Sequence, residues 1–121
     1  MGVADAYAHA SRPRLPAANL DASLAYCENQ LGFDVKTLLP EQGYAIVERD
    51  GMAIHLFADD TENHAGLHLF TYELEPLHDE LRRRGARITQ PVECKPWGNR
   101  DFRVMDPAGN ELKFTEPLGI A

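Results

Sequence analysis

The chain has 121 residues, 44% of them hydrophobic and 26% charged, with a formal net charge of −7. This size and balance are typical of one globular domain with one core, which we place at residues 1–121. An acidic chain argues against a nucleic-acid partner, because phosphate binding needs a basic face. Neither a membrane-spanning apolar run nor a signal-peptide pattern is present in the sequence, so we expect a cytoplasmic protein with no membrane partner.

Two segments have the apolar periodicity of amphipathic helices. In the segment Leu20–Leu31 every third or fourth residue is apolar, Asn19 or Asp21 can cap the start, and Gly32 can end the helix in a left-handed conformation. The segment Leu74–Arg84 has a similar leucine stripe. The sequence therefore predicts two helices of about three turns each.

The remaining segments alternate between apolar and polar residues or form short apolar runs, which favours strands. The polar stretch 59–66 separates two similar halves, 12–58 and 67–117, as a linker. The predicted strands are Arg12–Pro16, Asp34–Leu39, Tyr44–Glu48, Ala53–Ala58, Leu67–Tyr72, Arg87–Pro91, Asp101–Asp106 and Glu111–Glu116.

The order of elements is therefore a βαβββ unit repeated once. The two halves match at Leu31-Gly32 and Arg84-Gly85, where each helix ends, and Gly51 matches Gly109 in the last hairpin of each half. Neither half can bury its sheet alone, so the two repeats must pack together. We predict an α+β fold.

Two sequence blocks carry a resemblance to a known family. The segment LAYCENQLGF resembles the helix-to-glycine element of the glyoxalase/bleomycin-resistance/dioxygenase superfamily, also called the vicinal oxygen chelate superfamily. The segment WGNRDFRVMDPAGN, from Trp97 to Asn110, matches that group's W-G-x-R-x-F-x-x-x-D-P-x-G-N pattern and favours its bleomycin-resistance branch. The resemblance implies two βαβββ repeats forming a curved mixed sheet, and a homodimer with two grooves at the subunit interface.

The second block also has a local physical interpretation. The residues from Asp106 to Asn110 are typical of a tight turn. The aspartate can accept hydrogen bonds from backbone amides, the proline fixes its own φ, and Gly109 can adopt a positive φ. Trp97 lies beside Pro96 and Gly98 with no strand alternation, which predicts a loop residue. Its large aromatic face fits either a ligand or a packing contact.

The resemblance also permits a test for a metal site. Enzymes of the superfamily bind a divalent metal through His and Glu on the first and last strands of the repeats. The matching positions here hold Arg12 and Lys113, and cations at these positions would repel a metal. We therefore predict no metal and no cofactor. His55 and His68 stay open as pocket-lining, structural or metal-binding residues.

Strand alternation assigns the two faces of the sheet. Ile54, Leu56, Leu67 and Leu69 should face the helices, which leaves the opposite, concave side to ring-bearing side chains. Such a surface suits a flat, ring-containing ligand. The predicted ligand-binding residues are His55, Phe57, His68, Phe70, Tyr72, Trp97 and Phe102.

The resemblance implies a function as well as a fold. The leading hypothesis is a non-catalytic protein that sequesters a bleomycin-like antibiotic without modifying it. His68 and Phe70 occupy the fifth-strand positions at which two aromatic residues recur in that branch, so one of the two positions departs from the pattern. The alternatives are a metal-dependent lyase, isomerase or dioxygenase of the same fold, and a binding module for another small molecule.

Overall fold

The computed structural model describes residues 14–59 and 64–117. Arg12, the predicted start of the first strand, and part of the predicted linker lie outside these ranges. The first repeat consists of β1 (Arg14–Ala17), α1 (Leu20–Asn29), β2 (Asp34–Leu39), a 3₁₀ turn (Pro40–Gln42), β3 (Tyr44–Arg49) and β4 (Met52–Ala58). The second repeat consists of β5 (Gly66–Phe70), α2 (Leu74–Arg83), β6 (Arg87–Cys94), β7 (Arg100–Met105) and β8 (Glu111–Glu116).

Each repeat builds one four-stranded mixed sheet, in the orders β1-β4-β3-β2 and β5-β8-β7-β6. In both sheets the first strand of the repeat pairs parallel with the last, and the other neighbours are antiparallel. The predicted α+β class and the two βαβββ repeats are confirmed. Neither described helix is long and apolar enough to cross a membrane. The homodimer stays a prediction.

Several element boundaries differ from the predicted ones, including the ends of α1, β5 and β6. Helix α1 ends at Asn29, before Leu31. Strand β5 ends at Phe70 because the Thr71 hydroxyl accepts a hydrogen bond from the Glu73 amide and turns the chain into α2. Strand β6 continues past Pro91 to Cys94. As an edge strand with a register shift between Gln90 and Glu93, it tolerates a proline that cannot donate a ladder hydrogen bond.

Helix α1 begins and ends through backbone chemistry that the sequence anticipates. The Asn19 side chain accepts a hydrogen bond from the Ala22 amide at 3.1 Å, so Asn19 and not Asp21 is the cap. Gly32 has a φ of 72°, a left-handed conformation that a side chain disfavours. Cys27 lies in the core, where burial raises the pKa of its thiol to about 12.

The core lies between the helices and one face of each sheet. Strand alternation assigned this face correctly in two strands, β4 and β5, since Ile54, Leu56, Leu67 and Leu69 are all buried. In β8 the same face carries Leu112 and Phe114. The opposite, concave face of each sheet is therefore free to carry a binding site.

The prediction that Phe102 faces the concave side is wrong. Phe102 is completely buried, stacks on Phe114 with ring centroids 5.0 Å apart, and meets the His78 ring of α2 edge-on at 5.1 Å. The reason is parity: Phe102 and Val104 alternate with Asp101 and Arg103, so the two apolar residues share the helix-facing side of β7.

The turn after β7 joins the two repeats. The buried carboxamide of Asn110 donates to the Pro16 carbonyl at 2.8 Å and to Asp106 Oδ2 at 2.9 Å. Its oxygen accepts a hydrogen bond from the Ala65 amide at 2.8 Å. One side chain thus ties its own hairpin to β1 of the first repeat and to the residue that precedes β5.

Two further contacts place the helix of one repeat against the third strand of the other. The Tyr26 hydroxyl of α1 donates to the Met105 carbonyl at the end of β7 and accepts from the Arg87 amide. The Arg49 guanidinium at the end of β3 binds the Glu80 carboxylate of α2, with one contact at 2.9 Å. The two contacts occupy equivalent places in the two repeats, because each joins a helix to the end of the third strand of the other repeat.

Removing the Asn110 carboxamide should destabilise the whole fold. We expect Asn110→Ala to lower the free energy of unfolding by about 2–4 kcal/mol, because the Pro16 carbonyl and the Ala65 amide lose their buried partner. Urea denaturation measures the change. Asn29→Ala, at an exposed site, is the control, and a loss below about 0.5 kcal/mol for Asn110→Ala would contradict this account.

The Arg49–Glu80 pair should make stability depend on acidity. Hydrogen bonding to Arg49 holds the pKa of Glu80 at about 2, below its ordinary value of 4.5. Because the folded-state pKa is the lower one, the stabilisation is complete above pH 4.5 and is lost as the pH falls toward 2. We expect Glu80→Gln to cost about 1–2 kcal/mol at pH 7 and to flatten the fall in urea midpoint between pH 5 and 2. The control Glu28→Gln should leave the fall in urea midpoint unchanged. If the urea midpoint of Glu80→Gln falls with pH in parallel with that of the unsubstituted protein, Glu80 is not the source of the acid sensitivity.

Candidate functional site

Strand register places polar and aromatic side chains in two rows on the concave face of the second sheet. His68, Lys113 and Arg103 are opposite one another on β5, β8 and β7. Phe70, Thr115 and Asp101 form the adjacent row. Side chains of one strand that are two residues apart point to the same side, so all six share this face.

His68 is held in place by a hydrogen bond and a ring contact. Its Nε2 lies 2.5 Å from the Thr115 hydroxyl, and its ring stacks on Phe70 with centroids 4.7 Å apart and an interplanar angle of 25°. Burial, and then the charge of Lys113, lower the pKa of the imidazole below its ordinary value of 6.5, which favours the neutral form of His68. Phe70 remains 56% exposed, which leaves one flat ring face open to a ligand.

Asp101 is a buried carboxylate within the same face. Its Oδ1 accepts a hydrogen bond from the Gln90 amide at 2.6 Å and lies 3.6 Å from Lys95 Nζ. Its Oδ2 lies 3.9 Å from Lys113 Nζ. Sequence reasoning missed this cluster, although the alternation of Asp101 and Arg103 with Phe102 was the signal that would have found it.

The concave face of the first sheet carries the other predicted ring residues. His55 is buried, and its Nδ1 is hydrogen-bonded to the Tyr44 hydroxyl of β3. Phe57, two residues further along β4, lies under the Arg14 guanidinium at 5.1 Å. His55 and Phe57 thus share this face with a phenol and a cation, while His68 and Phe70 lie on the second sheet.

Tyr72 and Trp97 are both in connections and both exposed. Tyr72 follows β5 and is 80% exposed, and Trp97 lies in the β6–β7 turn and is 63% exposed. The predicted loop position of Trp97 is confirmed, and its exposure favours the ligand interpretation over the packing one. The β6–β7 turn leads into Arg100, which pairs with Glu116 at the end of β8. Phe70 pairs with Thr115, the residue before Glu116, so Trp97 lies at the same end of the sheet as Phe70.

The described residues do not fit a divalent metal. In the ranges 14–59 and 64–117, no three His, Cys, Asp or Glu side chains converge on one point. His68 has two cations, Lys113 and Arg103, as its neighbours, and both act to lower its pKa. Arg12 lies outside the described residues.

The electrostatic coupling of His68 to Lys113 can be measured. We expect Lys113→Met to raise the pKa of His68, because the imidazolium then forms without a neighbouring ammonium. An NMR titration of the imidazole carbons follows the change. The control Lys36→Met, on β2 of the first sheet, should leave the pKa of His68 unchanged. An identical change in the pKa of His68 in both variants would disprove the coupling.

Three solved structures show the same fold at low sequence identity. A bleomycin resistance determinant encoded on transposon Tn5 aligns with a TM-score of 0.78 and 21% identity, over 88% of this chain and 95% of that chain. A bleomycin-binding protein from Streptomyces verticillus in complex with copper(II)-bleomycin aligns with a TM-score of 0.71 and 26% identity, over 88% and 94%. A lactoylglutathione lyase from Agrobacterium tumefaciens aligns with a TM-score of 0.72 and 17% identity, over 87% and 90%.

Binding proteins and an enzyme thus share this architecture, and the likeness establishes the fold. No curated protein sequence matches the chain. The sequence profile of the Glyoxalase/Bleomycin resistance protein/Dioxygenase superfamily matches residues 7–114, which is most of the chain. The protein belongs to the glyoxalase/bleomycin resistance protein/dioxygenase superfamily.

Proposed function

We propose that this protein binds a bleomycin-family antibiotic on its concave faces and sequesters it without chemical change. The observation that carries the proposal is the stacked His68–Phe70 pair, which is fixed by Thr115 and presents a half-exposed ring beside polar groups. A flat ring system in the ligand would stack on Phe70, and its polar atoms would meet Lys113 and Arg103. The fold likeness to a bleomycin resistance determinant and to a bleomycin-binding protein supports this choice of ligand.

The state of the titratable groups favours binding over catalysis. The Asp101 carboxylate is buried, accepts a hydrogen bond from Gln90 and lies close to two lysines, so both of its oxygens already have partners within the protein. His55 is engaged by the Tyr44 hydroxyl, and His68 by Thr115. The contacts described for these groups serve to fix a surface.

The other features of the proposal follow from this role. His55 and Phe57 would extend the ligand surface on the first sheet, and Trp97 would contribute its exposed ring at the end of the second. The active form would be a cytoplasmic homodimer in which the concave faces of two copies enclose the ligand.

Calorimetric titration with metal-free and copper(II)-bleomycin tests the proposal. We expect saturable binding, and a loss of roughly tenfold in affinity for Phe70→Ala or Trp97→Ala, which corresponds to one aromatic contact of about 1.4 kcal/mol. Leu38→Ala is the matched control. Leu38 is exposed, so this substitution also removes an apolar side chain from the surface. Leu38 pairs with Ala45, which is buried on the helix side of the first sheet, so Leu38 lies off the concave face.

Two measurements separate this role from the enzymatic alternative. The mass of bleomycin recovered after incubation should be unchanged, and elemental assay of protein purified without chelator should find no stoichiometric divalent metal. Absence of heat and of any rise in Tm at millimolar drug would exclude bleomycin as the ligand. A mass change in the drug would show that the protein is an enzyme.

A further inference from the structure

A recess lies at the seam between the two repeats and meets the concave face of the second sheet only at Phe70. Its volume is about 550 Å³. The first repeat contributes the β3–β4 turn, and the second contributes the β5–α2 connection and the start of α2. The lining of this seam cleft is Arg49, Asp50, Phe70, Thr71, Tyr72, Glu73, Pro76, Leu77 and Glu80.

One wall of the seam cleft is aromatic and exposed. Tyr72 is 80% and Phe70 56% exposed, while Pro76 and Leu77 of α2 supply further apolar surface. An aromatic ring exposed to water is an unfavourable arrangement that a flat ligand would relieve by stacking. Phe70, at the end of β5, is shared with the concave face, whereas Tyr72 belongs to the cleft.

The charges around the seam cleft are predominantly negative. Asp50, Glu73 and Glu80 contribute three carboxylates, and Arg49 contributes one guanidinium. That guanidinium already has three hydrogen-bond partners within the protein. They are the Glu80 carboxylate, the Asp50 carboxylate at 3.3 Å and the Leu31 carbonyl at 2.8 Å. The guanidinium is therefore not available to an anion. The Asp50 side chain is 78% exposed, so its carboxylate faces an incoming ligand.

We propose that the seam cleft binds a small, flat aromatic cation, such as an aryl amidinium or a protonated heteroaromatic amine. The ring stacks against Tyr72 and Phe70, and the positive charge lies toward Asp50 and Glu73. A cation over an aromatic face gains electrostatic energy in addition to stacking, which an aromatic anion of the same shape does not. This site shares Phe70 with the proposed antibiotic site but adds Tyr72, Asp50 and Glu73, and its existence does not depend on that function.

Three probes of matched shape test the proposal: 2-naphthamidine, 2-naphthamide and 2-naphthoate, each titrated into ¹⁵N-labelled protein at low salt. We expect the amidinium to bind at least fivefold more tightly than the amide, and the naphthoate to bind most weakly. The amide signals that shift should be those of residues 49–50 and 71–77. Tyr72→Ala should weaken amidinium binding at least fivefold.

A charge-neutralising variant isolates the electrostatic part. Asp50→Asn with Glu73→Gln should reduce the preference for amidinium over amide at least threefold without unfolding the protein, because asparagine tolerates the positive φ of 49° at position 50. Glu28→Gln and Trp97→Ala, both outside the cleft, are the controls and should bind the amidinium normally.

Several outcomes would overturn the proposal. Naphthoate binding as tightly as the amidinium, unchanged binding in Tyr72→Ala, or shifts confined to the strands that carry His55 and His68 would each do so. Analytical ultracentrifugation tests one further outcome that would overturn the proposal. If Tyr72→Ala dissociates an oligomer and no probe binds, the seam cleft is a contact between copies of the chain. Failure of bleomycin to bind leaves the seam cleft unaffected.

Discussion

The hydrogen bonds of the Asn110 carboxamide are the constraint on which the arrangement of the two repeats depends. One buried side chain satisfies the Pro16 carbonyl of β1, the Ala65 amide before β5 and the Asp106 carboxylate of its own turn. Without this side chain the Pro16 carbonyl and the Ala65 amide would lose a hydrogen-bond partner, which is costly away from water. The repeats therefore cannot separate at β1 without breaking the Asn110–Pro16 hydrogen bond.

Away from Asn110 the two repeats are joined by contacts related through the internal repeat. Tyr26 of α1 meets the end of β7, and Glu80 of α2 meets the end of β3. The first contact is neutral and the second is ionic. That difference makes one side of the seam sensitive to acid, and Arg49, held there by Glu80, lines the seam cleft beside Tyr72. The interaction that joins the repeats thus also shapes a recess that neither repeat has alone.

The concave faces are available to a ligand because the buried apolar residues of β3, β4, β5, β7 and β8 lie on the opposite side of their strands. On the second sheet this leaves a buried carboxylate, Asp101, between Gln90 and lysines, next to His68 stacked on Phe70. These groups are already held by hydrogen bonds and a ring contact, which suits the proposed recognition of a flat ring system.

The two repeats, the start of α1 at Leu20, the positive φ of Gly32 and the inward side of Ile54, Leu56, Leu67 and Leu69 could be read from the sequence, because capping, φ preference and strand alternation are local properties. The loop position of Trp97 could be read in the same way. Strand alternation also indicated the correct side of Phe102, but the family resemblance of the block in which it lies led to its wrong assignment to the ligand site. Other features follow only from the tertiary structure: the hydrogen bond of Asn110 to Pro16, the contact of Asp101 with Lys113, and the presence of Tyr72 and Asp50 in one recess. These partners are distant in sequence, and their meeting depends on strand register and on how the repeats dock, which no local pattern specifies.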